Sequence, residues 1–582
     1  MDSVNDTFKK FGLKTMLMLS AFIVFGLTGC VDDDDNVNAP PTSLNIVTLA
    51  ETNDQLSILA SAIFDADLGG TLQGTGPFTV FAPNNTAFNN LPDGTLDNLS
   101  SEQLAQILSF HVVEGEITAS DLSASQTVET IQGEELLVTV DGGTVTVNGS
   151  AVVGTPDVEA SNGIIHIIDE VLLPQEFREP NIIDQAEELG NFTTLTSAIE
   201  QTGLTSTLQY LGPFTVFAPT DAAFNNLPAG LLNGLSDEEL AEILQYHVLN
   251  GTVLSTDLMA EQAVPSLTQE ELFITANGGV TVNGSSSVAT ADVEVSNGVI
   301  HAVDQVLLPD AYGTIVDAAS KRYFFSTLVS AVADAGLVDA LSSTDANLTV
   351  FAPTDEAFAN LPDGLLGSLT NEQLSSILQY HVLGSEVFAG DLSSEQSPES
   401  LTGEDLFITA GSEGAFVNGS TEIITTDVDV NNGVIHAIDG VLLPNVFLDI
   451  VQIAQKDYNL TSLVTALSDA GLVNTLKGDG PFTVFAPTNQ AFEDASAVIE
   501  SLSAQQVEDV LLYHAAAVEA LSGDLSDGQT IQTVQGEDIT VSIDGQGNVT
   551  LNGSVNVIEV DRQGTNGVVH VIDGVLVPPS FN

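Results

Sequence analysis

All eight histidines stand at equivalent places of a repeated pattern, two per copy: His111 and His166, His247 and His301, His381 and His436, His514 and His570. Imidazoles placed so regularly could bind zinc or move protons. The first of each pair follows an apolar residue by seven positions (Leu104, Leu240, Leu374, Val507), which puts it on the apolar face of a helix. That position predicts a core histidine bonded to internal groups. The second sits in an apolar strand with an Asp three residues on, as in His436 and Asp439. An odd offset on a strand sends the two side chains to opposite faces, so they cannot chelate one ion. No His-x-x-x-His pair occurs and Cys30 is the only cysteine, so both sets read as structural.

Carboxylates form the sharper pattern: Asp157 and Glu159, Asp292 and Glu294, Asp427 and Asp429, Glu559 and Asp561. Spacing by two places both on one strand face, where oxygen ligands could help hold calcium. Asp292, Glu294, Asp427 and Asp429 are the candidates for that role. EF-hand spacing is absent and a full ligand set is not visible, so a solvated strand face is the preferred reading and no cofactor is expected. Nucleophilic and phosphate chemistry lack their motifs: there is no Gly-x-Ser-x-Gly elbow and no phosphate-cradling loop. The expectation is a protein without catalytic residues.

The chain carries 80 acidic against 9 basic residues, a formal net charge of -71. Phosphate recognition needs Lys and Arg, and Val31 to Phe177 contains neither, which excludes nucleic acid as a partner. At the N-terminus Lys9, Lys10 and Lys14 precede a short apolar run from Met16 to Leu27. This is the pattern of an export signal. Leu27-Thr28-Gly29-Cys30 resembles the bacterial lipobox, so residues 1–30 are expected to be a lipoprotein signal peptide, with Cys30 lipidated. Residues 31–43, with Asp32 to Asp35, then form an acidic tether. The expected location is the cell envelope, at the outer membrane or cell surface, held to the membrane by the lipid. Without further cysteines each exported domain must fold on its core alone.

The string Thr-Val-Phe-Ala-Pro begins at Thr79, Thr215, Thr349 and Thr483, a period of 134 to 136 residues. That is a whole domain rather than a solenoid unit. Each copy opens with helical patterns and continues through this strand to a capping residue (Asn84, Thr220, Thr354, Thr488). A capping box then starts a longer helix: Ser100 with Gln103, Ser236 with Glu239, Thr370 with Gln373, Ser503 with Gln506. Strands with Asn-Gly turns follow, such as Val145 to Ser150. Helices first and sheet second make the class α+β. The units are 44–177, 178–311, 312–446 and 447–582, joined by short connections that restrict interdomain angles.

Thr349 to Phe358 (TVFAPTDEAF), Tyr380-His381 and Asn432 to Asp439 (NGVIHAID) together resemble the signature segments of the fasciclin domain, and all four copies carry both long segments. The resemblance implies a β-sandwich or wedge of about seven strands with helices packed on one side. It also implies extracellular adhesion. Tyr246, Tyr380 and Tyr513, with the adjacent His247, His381 and His514, become ligand-binding candidates through it, the tyrosines near the rim. Copy one departs with Phe110, and copy four with an insertion around Asp561 to Gly564. The expected function is a lipid-anchored adhesion protein presenting four domains to matrix or cell-surface proteins or glycans. A second reading is an acidic envelope spacer whose faces are bridged by calcium.

Overall fold

The computed structural model describes residues 44–91, 99–227, 230–362 and 364–581, so Cys30 and the tether lie outside the described residues. In the first domain, helices α1 (Ile46–Thr52), α2 (Ser57–Asp65) and α3 (Gly69–Leu72) precede strand β1 (Phe78–Pro83). Helices α4 (Asn85–Asn89) and α5 (Ser101–Ser109) follow, then β2 (Val112–Glu114), β3 (Ser125–Glu129), β4 (Glu135–Asp141), β5 (Thr144–Val147), β6 (Ala151–Ala160) and β7 (Gly163–Ile168). The strands form one seven-stranded sheet in the order β2-β1-β7-β6-β5-β4-β3, repeated in every domain. The class is α+β as expected, but the order is not helices first and sheet second. β1 runs between the helices and pairs in parallel with β7 at the end of the domain, Phe78 opposite Gly163 and Pro83 opposite Ile168.

That pairing explains why both signature strands are apolar apart from one buried threonine and one buried histidine, Thr79 and His166 in this domain: a strand covered on both faces has no polar side to alternate with. Val80, Ile165 and Ile167 face α1 and α2, packing on Ile46, Leu59 and Ile63. Phe81 and Ile168 face the other way, into a second core where the outer strands bring Val138 and Val147 over Phe110. Burying each such side chain stabilises by roughly 1.5–3 kcal/mol.

The helix starts follow the sequence closely. All four capping boxes are complete, with the Ser or Thr hydroxyl accepting from the N3 amide and the Gln or Glu side chain accepting from the cap amide. Asn84, Thr220, Thr354 and Thr488 cap the short helix after β1 and its counterparts. The start of each domain is pinned by an asparagine. Asn162 Oδ1 accepts from Ile46 N at 3.0 Å while its amide donates to Leu72 O and Gly74 O, tying α1 and α3 to the β6-β7 turn. Asn297, Asn432 and Asn566 repeat the bond to Ile182, Ile315 and Ile450.

Candidate functional site: repeated polar residues and domain junctions

Each first histidine closes a helix end against the last loop of its domain. His381 Nδ1 donates to Ile377 O at 2.8 Å, and its Nε2 accepts from Leu442 N at 2.9 Å. His111, His247 and His514 make the same two bonds. Both ring nitrogens are used, which requires the neutral form. Burial drives all four down to about 4, against the opposing pull of the helix carbonyl.

The second histidines pack against the phenylalanine of the neighbouring strand, His436 on Phe351 with ring centroids 5.6 Å apart and planes inclined by 32°. His436 Nε2 donates to Val387 O and Nδ1 accepts from Asp427 N. Asp427 marks a β-bulge, with φ of 59°, and lies within the second of two register shifts, between Thr425 and Val428. Asp157, Asp292 and Asp561 occupy the same left-handed position. The acidic pairs are therefore not two carboxylates on one regular face, because the bulge interrupts the alternation.

Asp292 instead accepts from Ser255 N and Oγ, and Asp427 from Ala389 N, while Glu294 and Asp429 stand exposed on the strand. Among the described residues no three His, Cys, Asp or Glu side chains group as a metal site. The fourth copy holds no insertion: its bulged strand, Val555–Gly564, has ten residues like Thr421–Val430. Asp561, not Glu559, is the counterpart of Asp427, and Gln563 replaces the second acid.

The expectation that the tyrosines lie near the rim is corrected. Tyr246, Tyr380 and Tyr513 are 0% exposed. Their hydroxyls donate to the carbonyls of Glu271, Asp405 and Asp538 and accept from Asn283, Asn418 and Asn552. Each ties the helix end to the hairpin that carries the Asn-Gly turn, so Tyr and the adjacent His face the interior together. Sequence reasoning also passed over the threonine of Thr-Val-Phe-Ala-Pro. Thr349 Oγ1, fully buried, donates to Ser385 O and accepts from Val387 N. A lone polar residue in an apolar strand was its only signal.

What the sequence left unassigned are the basic residues. Besides Lys9, Lys10 and Lys14 the chain has six: Arg178, Lys321, Arg322, Lys456, Lys477 and Arg562. All but Lys477 sit where one domain meets the next. Between domains two and three, Asp310 receives Lys321 at 2.8 Å and Arg322 at 2.5 Å, and Arg322 lies over the Phe273 ring at 4.8 Å. Burial raises the Asp310 carboxyl, but the Arg322 bonds and the Lys321 charge outweigh it and hold it below its usual range. Glu270 beside it is pushed up to about 6 by burial and by Asp310.

Between domains three and four, Lys456 donates to the Tyr380 hydroxyl at 2.9 Å and pairs with Glu404 at 3.5 Å. Arg562 lies over Phe407 at 5.3 Å and pairs with Asp457. Phe273 and Phe407 are counterparts, each donating its amide to the turn asparagine of its domain. The guanidinium over each comes from a different element, a helix end in one junction and the bulged strand in the other. The first junction has Leu137 at that position, and Arg178 lies over Tyr210, whose hydroxyl donates across to Glu135 O.

Four α+β units, their shared polar residues turned inward and their basic residues gathered at the junctions, define a tandem-domain array. The Fasciclin domain profile matches residues 54–174, 190–309, 324–444 and 458–578, and the chain belongs to the fasciclin family. It is 30% identical over 529 residues to transforming growth factor-beta-induced protein ig-h3 of Sus scrofa, spanning 88% of this chain and 74% of that protein. Human periostin is 29% identical over 530 residues, 87% of this chain and 60% of that protein. An uncharacterized Synechocystis protein is 44% identical over 131 residues, 22% of this chain and 97% of its own. A solved FAS1 domain pair from the insect cell adhesion molecule fasciclin I aligns with 44% of this chain and 97% of its own, at a TM-score of 0.35 and 21% identity.

Proposed function

We propose that the protein is a lipid-anchored adhesion protein of the cell envelope, tethered through Cys30 and presenting four fasciclin domains to matrix or cell-surface proteins or glycans. It acts by binding, without catalysis. Family membership supports the adhesive reading, and the Leu27 to Cys30 string supports the anchor.

The observation that carries the multivalent form is the junctions. Five of the six basic residues beyond the leader stand at domain contacts, so the domains are held in a set order rather than strung on free linkers. Several weak sites at set distances gain avidity from geometry. The shared polar residues are consumed internally, which leaves recognition to surfaces where the copies differ. Surface attachment of cells expressing the full chain should fall far more than half when domains three and four are deleted, and labelled palmitate should be lost with Cys30→Ser. Attachment by one isolated domain as strong as by four would sink the multivalent reading.

A further inference from the structure

The three junctions are fastened unequally. At the second, Lys321 donates to Leu308 O and lies 5.8 Å from the centre of the Tyr246 ring, while Arg322 and Tyr323 both meet the Phe273 ring of domain two. At the third, Lys456 holds Tyr380 and Glu404, while Tyr458 and Arg562 meet the Phe407 ring of domain three. The residues of domain two in register with Lys321, Arg322 and Tyr323 are Glu188, Leu189 and Gly190, and those of domain one in place of Tyr246 and Phe273 are Phe110 and Leu137. Each of these bridges is thus missing from the first junction, and Leu189 stands 45% exposed.

Arg178 does not replace them: it pairs with Asp184 and lies over Tyr210, both in domain two, and so fastens the connection to the later domain. Among the described residues one side-chain bond runs directly from domain two to domain one, from the Tyr210 hydroxyl to Glu135 O at 2.8 Å. Gln175 bridges from within the connection, donating its backbone amide to Glu134 and its side-chain amide to Asp184. The connection is longer as well: six residues, 175–180, separate Pro174 from the helix cap Asn181, against four after Pro309 and four after Pro444. Two further residues add about 7 Å of reach.

The seating also differs. The turn glycines Gly284 and Gly419 abut Ser320 O and Gln455 O, on the first helix of the next domain, whereas Gly149 abuts Tyr210 O on the helix Thr205–Tyr210. Domain one therefore rests on domain two at the Tyr210 corner. Arg178 is the only Lys or Arg between Val31 and Ser320, so the two acidic domains repel rather than attract. Domains of one chain move against each other unless their interface is strongly tied. We propose that the first junction is a swivel: domains two, three and four move as one stiff arm, and domain one turns against it about residues 175–180. This goes beyond the adhesive reading and stands without it. A swivel at one end lets the arm meet a surface at varied angles while the spacing of sites along the arm stays set.

The test is pulsed electron spin resonance on the full chain carrying Cys30→Ser, with nitroxide pairs at one exposed helix position of successive domains: Ser61→Cys with Ser197→Cys, Ser197→Cys with Ser330→Cys, and Ser330→Cys with Thr465→Cys. The distance distribution across the first junction should be at least about twofold broader than across either of the others. Phe273→Leu with Arg322→Leu gives the second junction the residues found at the first, and should broaden the second distribution. Small-angle scattering on the unlabelled wild-type chain supplies a check that needs no variant to fold: the curve should require domain one in several orientations against one fixed arm. Equal widths across all three junctions, a second width unmoved by the double substitution, or a scattering curve fitted by one rigid four-domain shape overturns the proposal.

Discussion

The ammonium of Lys456, on the first helix of domain four, donates to the hydroxyl of Tyr380, buried in domain three, at 2.9 Å. It also lies 4.9 Å from the centre of the same ring. Burial draws Lys456 down to about 8 against the pull of Glu404. The signature tyrosine thus serves two structures, pinning its own domain and receiving the next one. In the first domain the position is Phe110, and the residue of domain two in register with Lys456 is Glu188.

Tyr380→Phe should therefore loosen the third junction as well as the third domain. It removes the acceptor of a buried ammonium and the partner of Asn418, a loss of about 1–3 kcal/mol. Hydrogen exchange should quicken at the amides of Ile450–Lys456 in domain four, across the boundary from the substitution. Protection there equal to wild type would mean that Lys456 draws its hold from Glu404 alone.

The Asn-Gly turns make a controlled pair. A β-carbon on Gly284 would lie 2.2 Å from Ser320 O of domain three, whereas one on Gly553 meets nothing, though both glycines have φ of 72°. Gly284→Ala and Gly553→Ala share the same local strain, so their difference isolates the interdomain contact. The expected excess for Gly284→Ala is about 1–3 kcal/mol, from overpacking against backbone. Small-angle scattering should show a changed envelope for Gly284→Ala alone.

Much of this fold was legible because its signals are local. Capping boxes, Asn-Gly turns and the apolar strand act within a few residues, and all appear where the spacing placed them. The core placement of His381 followed from its spacing of two helical turns from Leu374. Tyr380 was misjudged because a neighbour in sequence on a helix end can still point inward, and its partners Asp405 and Asn418 are 25 and 38 residues away. The bulge at Asp427 was missed because a left-handed Asp leaves no period to read. The junctions were invisible for another reason: Arg322 and Arg562 fill like places from unlike positions in the repeat, so aligning the copies conceals their equivalence.

The calcium reading makes a prediction that these bonds oppose. Asp292 and Asp427 use their carboxylates on backbone amides, and the exposed acids beside them lack a third ligand within the described residues. Calcium should then stabilise no more than magnesium at matched ionic strength, acting through screening of the net charge. A melting shift specific to calcium, abolished by Asp427→Asn, would restore the acidic spacer as the better account.

Protons should act through the four first histidines. Their folded-state values near 4 lie below the ordinary 6.5, so the unfolded chain binds more protons between those limits. Stability from this source is complete above about pH 6.5 and is lost as pH falls toward 4, on the order of 3 kcal/mol per histidine at most. Carboxylate protonation relieves the charge repulsion of the chain only lower in this range, so the histidine effect stands clearest between about pH 6.5 and 5. His381→Gln should lower stability at pH 7 and flatten the pH slope of domain three. The same substitution leaving that slope unchanged in denaturant unfolding from pH 7 to 5 would show that His381 does not carry it.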